Sequence, residues 1–498
     1  MQKLMIVINH LLRENYKYIC SIFITLLLSI VLYTNTFNYP LRFMGFIFIL
    51  ASLLIVFLPK KLEVATVLLI LVFGSLSVMI TPLNDVPDEY VHYARSVYIS
   101  EGDINLSNDN KNLKVSKDVK KIIDRSGTTV TNSKQLSIKH TKAEYINPNI
   151  KGTNAYYSFS YFPQALGIVL GNAIGFPIVI TYYLGRLVNL IFYALLVFLA
   201  LKLSGPFKQV IAVVALLPMN IYLAASYNQD GFAIGLVLTT IGLFINLLYS
   251  ENSSKNNVKL LIYFGLCGLL VLSKFTYFLL VLLPFFIPNK RFGERSKRII
   301  LNKILGILLM TLFAAIWFKL YGQVKTPYVA DFLKEVNVNQ QIKNIIERPI
   351  LYGGVIARHM VTNLINMDNI FQFGALSYGI TNIFSLYLVF LFFIYLSNAS
   401  KMVLNVKEKF GIFLVISGII GATVLAMYLT WTPAGALTVL GVQSRYLIGI
   451  IPLLLLLFTS QNSKIKQVED FISDKMALHV SLLFVIMMLM STIFRYYN

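Results

Sequence analysis

About thirteen times along its 498 residues the chain runs apolar for long enough to cross a bilayer. This recurrence constrains the fold more than any motif. Spanning the hydrocarbon takes about 20 apolar residues as a helix. The runs fall near residues 18–34, 41–58, 62–81, 180–203, 208–226, 231–250, 258–273, 275–288, 299–321, 378–397, 409–430, 440–460 and 476–494. Lipid offers backbone groups no hydrogen-bond partners, so each run must satisfy its own as a helix. The expected fold is an all-α polytopic membrane protein. Composition agrees: 57% of residues are hydrophobic and 13% charged, against about 25% charged in soluble proteins.

The net charge of +21 does not indicate nucleic acid, because the cations form short clusters between apolar runs rather than one basic face. Five clusters define a side: Lys3, Arg13 and Lys17; Lys60 and Lys61; the stretch NKRFGERSKR at 289–298; Lys401, Lys407 and Lys409; and Lys464, Lys466 and Lys475. By the positive-inside rule that side is cytoplasmic. The first apolar run then reads as an uncleaved anchor. The two cysteines, Cys20 and Cys267, lie inside apolar runs and offer no disulfide framework.

Two long segments, about 82–157 and 323–377, fall on the outer side. The apolar stretch 156–176 reads as a juxtamembrane or re-entrant helix, since an odd number of crossings must separate residue 82 from Lys202 and Lys208. The second segment opens with an amphipathic pattern, YVADFLKEVNVNQQIKNIIERP. It continues as an interfacial stretch with Arg358 and His359 embedded. The expected organisation is 1–61 as an N-terminal segment with two extra spans, 62–322 as a transmembrane module including the 82–157 loop, 323–377 as the interfacial loop, and 378–498 as C-terminal spans.

The ionisable residues cluster at the outer ends of spans. In TPLNDVPDEYVHYARS, residues 81–96, the carboxylates Asp85, Asp88 and Glu89 precede His92 and Arg95. Pro87 suits a first helical turn, and Asp88, His92 and Arg95 at i, i+4 and i+7 then share a face. The stretch reads either as a well-capped interfacial helix, with Asp85 as its cap, or as a general base beside its tuning partners. Arg445 and Tyr446 head an apolar run, either as headgroup anchors or as a clamp on a lipid phosphate. Asp230 in SYNQDG, Lys274 in LSKFTYF and Arg186 in YYLGRLV carry the same pair of readings: cap or snorkelling anchor against functional ion. No Walker A, dinucleotide fingerprint or HExxH is present. An enzyme of this shape would take an activated substrate carried on a lipid.

VPDEYVHYARSVYISEG, YFPQALG, LPMNIYLAASYNQDG, SKFTY and GVQSRYLIGIIPLL, in this order, resemble a bacterial membrane family of unknown function allied to the GT-C glycosyltransferases. The resemblance spans roughly residues 60–460. It implies a GT-C-like fold and transfer, with inversion, of a sugar from a polyprenyl-phosphate donor to a cell-envelope glycan or lipid-linked acceptor on the extracytoplasmic face of the plasma membrane. It places Asp88 and Glu89 at the catalytic carboxylate, with His92 and Arg95 matching its motif. Gln443, Arg445 and Tyr446 match the late motif, where Ser444 replaces an expected glycine. Arg445 and Lys274 are the expected phosphate cations, and Asp230 and Arg186 further substrate contacts. Asp88 and Glu89 could hold a divalent metal such as Mg or Mn, since hard cations prefer carboxylate oxygens, though nothing in the sequence demands one. The rival readings are a flippase of lipid-linked sugars and a non-catalytic subunit of an envelope-polysaccharide complex.

Overall fold

The computed structural model describes residues 2–33, 39–104, 115–141, 145–146, 157–251, 253–293, 296–324 and 334–497. Nineteen α-helices occur among them. The first seven are α1 (Gln2–Tyr33), α2 (Leu41–Val56), α3 (Leu62–Ile80), α4 (Glu89–Ser100), α5 (Lys117–Ile123), α6 (Phe162–Ile174) and α7 (Ile178–Leu203). Next come α8 (Lys208–Ala215), α9 (Pro218–Ala224), α10 (Asp230–Tyr249), α11 (Lys255–Ser273), α12 (Ser296–Val324), α13 (Val338–Glu347) and α14 (Pro349–Ile365). The chain closes with α15 (Phe384–Asn398), α16 (Val406–Thr430), α17 (Ile451–Leu457), α18 (Ser463–Lys466) and α19 (Asp474–Tyr496). Two antiparallel pairs of two-residue strands are the described sheet: β1 (Val115–Ser116) with β2 (Tyr145–Ile146), and the hairpin β3 (Gln372–Phe373) with β4 (Tyr378–Gly379).

The chain is a helical, polytopic membrane protein. Among the described residues nine helices are long and apolar enough to cross a membrane. The four other apolar runs differ for local reasons. α2 has only 16 residues. The run 208–226 breaks into α8 and α9, bent by 72°, with Pro218 opening the second piece and removing an N–H that a continuous helix needs. Residues Phe275–Phe286 form a 3-10 helix with Pro284 inside. The run 440–460 begins as a 3-10 helix, Ser444–Ile450, and passes into α17 near Pro452. α6 is 13 residues long, about 20 Å, too short for a 30 Å core. It lies against α7 with Gly167 packed on the Gly185 backbone.

The ends are fixed by capping. Asn405 and Glu408 form a reciprocal capping box at the start of α16. Ser473 accepts from the Met476 N–H at the start of α19. The basic clusters collect at one end of the bundle. Lys202 lies 2.9 Å from Glu63, two residues beyond Lys61. Lys475 bonds Asn15 at 2.6 Å, and Lys208 and Lys401 line one cavity with Glu469, Asp470 and Asp474. Of the amphipathic stretch 328–349, residues 328–333 lie outside the described set; Val338–Glu347 is helical, capped by Asn337.

At the other end, the segment after α3 forms a cap with its own core. Leu83, Val91, Ala94, Val97, Val119 and Ile122 pack against Ile168, Ile178 and Tyr182 of α6 and α7. Its hydrogen bonds run from Ile178 to the Ile138 carbonyl and between Leu83 and the Gly127–Thr128 turn.

Candidate functional site

The helix of the DEYVH stretch begins two residues after Pro87. Asp88 is its N-cap residue, with φ 58° in the left-handed region, and Glu89 its first helical residue. Pro87 therefore precedes the helix. Neither Asp85 nor Asp88 caps it through a side chain.

The carboxylates have separate environments. Glu89 is fully buried and forms a two-point contact with Arg186, Nε to Oε1 at 2.9 Å and Nη2 to Oε2 at 2.7 Å. The Tyr227 N–H also donates to Glu89 at 3.0 Å. Arg186 spends its remaining donors on the carbonyls of Val78, Thr81 and Pro82 at the C-terminal end of α3. Glu89, expected at the catalytic carboxylate, and Arg186, expected as a substrate contact, thus tie the start of α4 to α7, and Arg186 ties α7 to the end of α3. Arg95 is likewise turned inward, fully buried, with its guanidinium on the Ile104 carbonyl and near the Tyr98 ring.

Asp85, expected as a helix cap, instead receives three phenol hydroxyls. Tyr222 and Tyr378 donate to Oδ2 at 2.8 and 2.7 Å, and Tyr496 donates to Oδ1 at 2.6 Å. Three phenols from distant elements carry no sequence signature beyond being tyrosines in or beside apolar runs.

Asp88 is the exposed member of the set. One turn on, His92 is buried, its Nδ1 2.8 Å from the Tyr161 hydroxyl. Burial pushes the His92 imidazole down to about 4, against the pull of the Asp88 and Asp230 carboxylates, with Arg445 adding to the fall. The ring is therefore neutral at physiological pH. Tyr161, in the YFPQALG stretch, was given no role by the sequence; a tyrosine opening an apolar helix gives no cue that it holds a histidine.

The second group meets across three elements. Asp230 opens α10, Lys274 is the C-cap that follows α11, and Arg445 is the second residue of the 3-10 helix Ser444–Ile450. Lys274 Nζ lies 2.6 Å from Asp230 Oδ1, and Arg445 Nε lies 3.7 Å from Asp230 Oδ2. Gln229 donates to the same carboxylate at 2.8 Å. Both cations sit against the Tyr446 ring, at 4.7 and 5.6 Å from its centroid. The 3-10 helix can come this close because Gly449 faces Tyr277, whose hydroxyl bonds the Tyr446 carbonyl at 2.7 Å. Gln443 is the residue before this helix, at its N-cap. The two groups form one electrostatic cluster: His92 lies in the fields of Asp88, Asp230 and Arg445, and Tyr446 in those of Arg445, Asp230 and Asp88.

A metal bridging Asp88 and Glu89 does not fit this geometry, because Glu89 is committed to Arg186. Among the described residues no group of three His, Cys, Asp or Glu side chains is placed to hold a metal ion.

No curated protein and no solved structure matches the chain. A family model described as predicted membrane protein (DUF2142) matches residues 71–454, a stretch that contains every residue of this cluster. The chain belongs to the DUF2142 family of predicted membrane proteins.

Proposed function

We propose that the chain is a GT-C-type glycosyltransferase of the bacterial plasma membrane that uses a polyprenyl-phosphate sugar on the extracytoplasmic face. The observation that carries this reading is the convergence of an exposed carboxylate, Asp88, with two buried cations, Lys274 and Arg445, in one cluster at the ends of helices. The basic clusters at the opposite end of the bundle support the outward orientation.

The chemistry assigns each group a task. The Asp88 carboxylate takes the proton of an acceptor hydroxyl. The acceptor oxygen attacks the anomeric carbon while the bond from that carbon to the phosphate oxygen breaks, and the phosphate leaves with the electron pair. Negative charge grows on the departing phosphate, where the Arg445 guanidinium and the Lys274 ammonium meet it. Asp230 orients both cations. Neutral His92, hydrogen-bonded to Tyr161, adds no third charge to the cluster.

The bent α8–α9 pair is the feature that favours a flippase of lipid-linked sugars, since transporters use broken helices. Against it, Asp88, Asp230, Lys274 and Arg445 all occupy helix ends rather than mid-helix positions. Purified protein, a polyprenyl-phosphate sugar and an envelope-glycan acceptor decide between the readings: an enzyme forms a new glycosidic bond, and a flippase moves the donor unchanged.

A further inference from the structure

Asp85 divides its two oxygens between two parts of the molecule. Oδ1 faces α19 and takes the Tyr496 hydroxyl. Oδ2 faces the hairpin segment 366–380 and takes the hydroxyls of Tyr378 and Tyr222. Tyr378 belongs to β4, and its hydroxyl also lies 3.2 Å from Thr492 Oγ1. Tyr222 belongs to α9, and its oxygen accepts the Gly374 N–H at 2.9 Å. Both hydroxyls on Oδ2 therefore tie Asp85 to the hairpin, whereas Tyr496 on Oδ1 meets it only through its ring, edge-on to Tyr378 at 5.9 Å.

The hairpin is held in a conformation that its residues do not favour. Gly374, Ala375 and Leu376 have φ of 56°, 52° and 66°. Side chains with a Cβ rarely adopt this region, and such strain persists only where surrounding contacts impose it. Here the contacts are the Tyr222 and Tyr378 bonds at the tip and the Ile380 N–H on the Phe371 carbonyl at the base.

The other end of the segment grips the cation helix. Asn369 Oδ1 accepts the Ser444 N–H at 3.1 Å, and the Asn366 carbonyl accepts the Ser444 hydroxyl at 3.0 Å. Ser444 is the neighbour of Arg445. Asp85 lies three residues before Asp88 on the other side. A single tied segment thus runs from the arginine helix to the base-bearing turn.

We propose that Asp85 is a positioning residue, which through Tyr378, Tyr222 and segment 366–380 sets Arg445 against Asp88. As a role in catalysis this rests on the transferase reading; as a mechanical link it does not. A reacting geometry is sensitive to displacements of about 1 Å, which can cost about a hundredfold in rate.

The test compares two conservative variants of the full-length protein in detergent. Tyr378→Phe and Tyr496→Phe each remove one hydroxyl from Asp85, the first also its 3.2 Å contact with Thr492, and only the first of these hydroxyls belongs to the hairpin. Two quantities are read: hydrogen exchange of the peptide carrying the Ser444 amide, and donor kcat and KM in the transfer assay. The expected result is exchange faster by about tenfold in Tyr378→Phe alone, together with a rise in donor KM and a fall in kcat of about tenfold, while Tyr496→Phe matches wild type in both. Equal exchange at Ser444 in the two variants overturns the proposal. If Tyr378→Phe does not fold, Tyr222→Phe replaces it and must show the same contrast. A wild-type protein without transferase activity that still shows the exchange contrast leaves the link standing and removes the transferase reading.

Discussion

Glu89 and Arg186 meet in a two-point contact, 2.9 and 2.7 Å, at a depth where both side chains are fully buried. The pair is 97 residues apart in sequence and joins α7 to the start of α4, while Arg186 also bonds the carbonyls at the end of α3. It separates two adjacent carboxylates into a structural one, Glu89, and an exposed one, Asp88.

Glu89→Gln leaves the Arg186 charge buried without its counter-ion. Removing one partner of such a pair costs about 3–5 kcal/mol. The melting temperature in detergent should fall sharply and expression should drop. Asp88→Asn, at an exposed position, should melt near wild type. A normal melting temperature for Glu89→Gln contradicts the assignment.

Arg445 and Lys274 should be read out through the donor. A charge-assisted contact to phosphate is worth about 1.5–3 kcal/mol, about ten- to a hundredfold in donor kcat/KM. Arg445→Ala should lose that factor while acceptor KM changes little. Arg445→Lys should recover only part, because an ammonium lacks the planar fork. Unchanged donor kinetics in Arg445→Ala would leave it as a headgroup anchor.

How much of this was legible in the sequence depends on the range of the interaction. The membrane class follows from apolar runs, and the placement of Asp88, Asp230, Lys274 and Arg445 at helix ends follows from where those runs stop. Hydropathy counts apolar residues but not hydrogen-bond register, so it does not separate the 3-10 helix of 275–286 from an α-helical span. It does not show the break before Pro218 either. The roles of Glu89 and Asp85 were hidden for a different reason. Their partners, Arg186 and the three tyrosines, lie 97 to 411 residues away, and each partner alone looks like an ordinary residue of an apolar run.

The pH dependence of stability should carry the signature of His140. Its ring is clamped between Asp118 at 2.7 Å and Glu101 at 3.3 Å. The bond to Asp118, then that to Glu101, raises its pKa to about 9 against the effect of burial. The folded state holds this proton more tightly than the unfolded chain does. The stabilisation is therefore complete below about pH 6.5 and is lost as pH rises through about 9. The melting temperature should decline between about pH 7 and 10 in wild type, and His140→Gln should start lower and decline less. Parallel curves for the two proteins would exclude the clamp.

His92 should be silent in the pH–rate profile. With its pKa near 4, it stays neutral from about pH 5 to 8, so transfer should show no limb near pH 6.5 that depends on this ring. The comparison is kcat/KM against pH for wild type and His92→Gln. A wild-type break near pH 6.5 that disappears in the variant contradicts the neutral assignment.

The central claim is that Asp88 is the base for sugar transfer at the outer face. Its most direct test uses purified Asp88→Asn with a polyprenyl-phosphate sugar donor and an envelope-glycan acceptor, scored for glycosidic product beside wild type. The substitution keeps the shape and removes the base, so the product rate should fall by about 10²–10⁴-fold with folding intact. Wild-type transfer rates in Asp88→Asn would contradict the account.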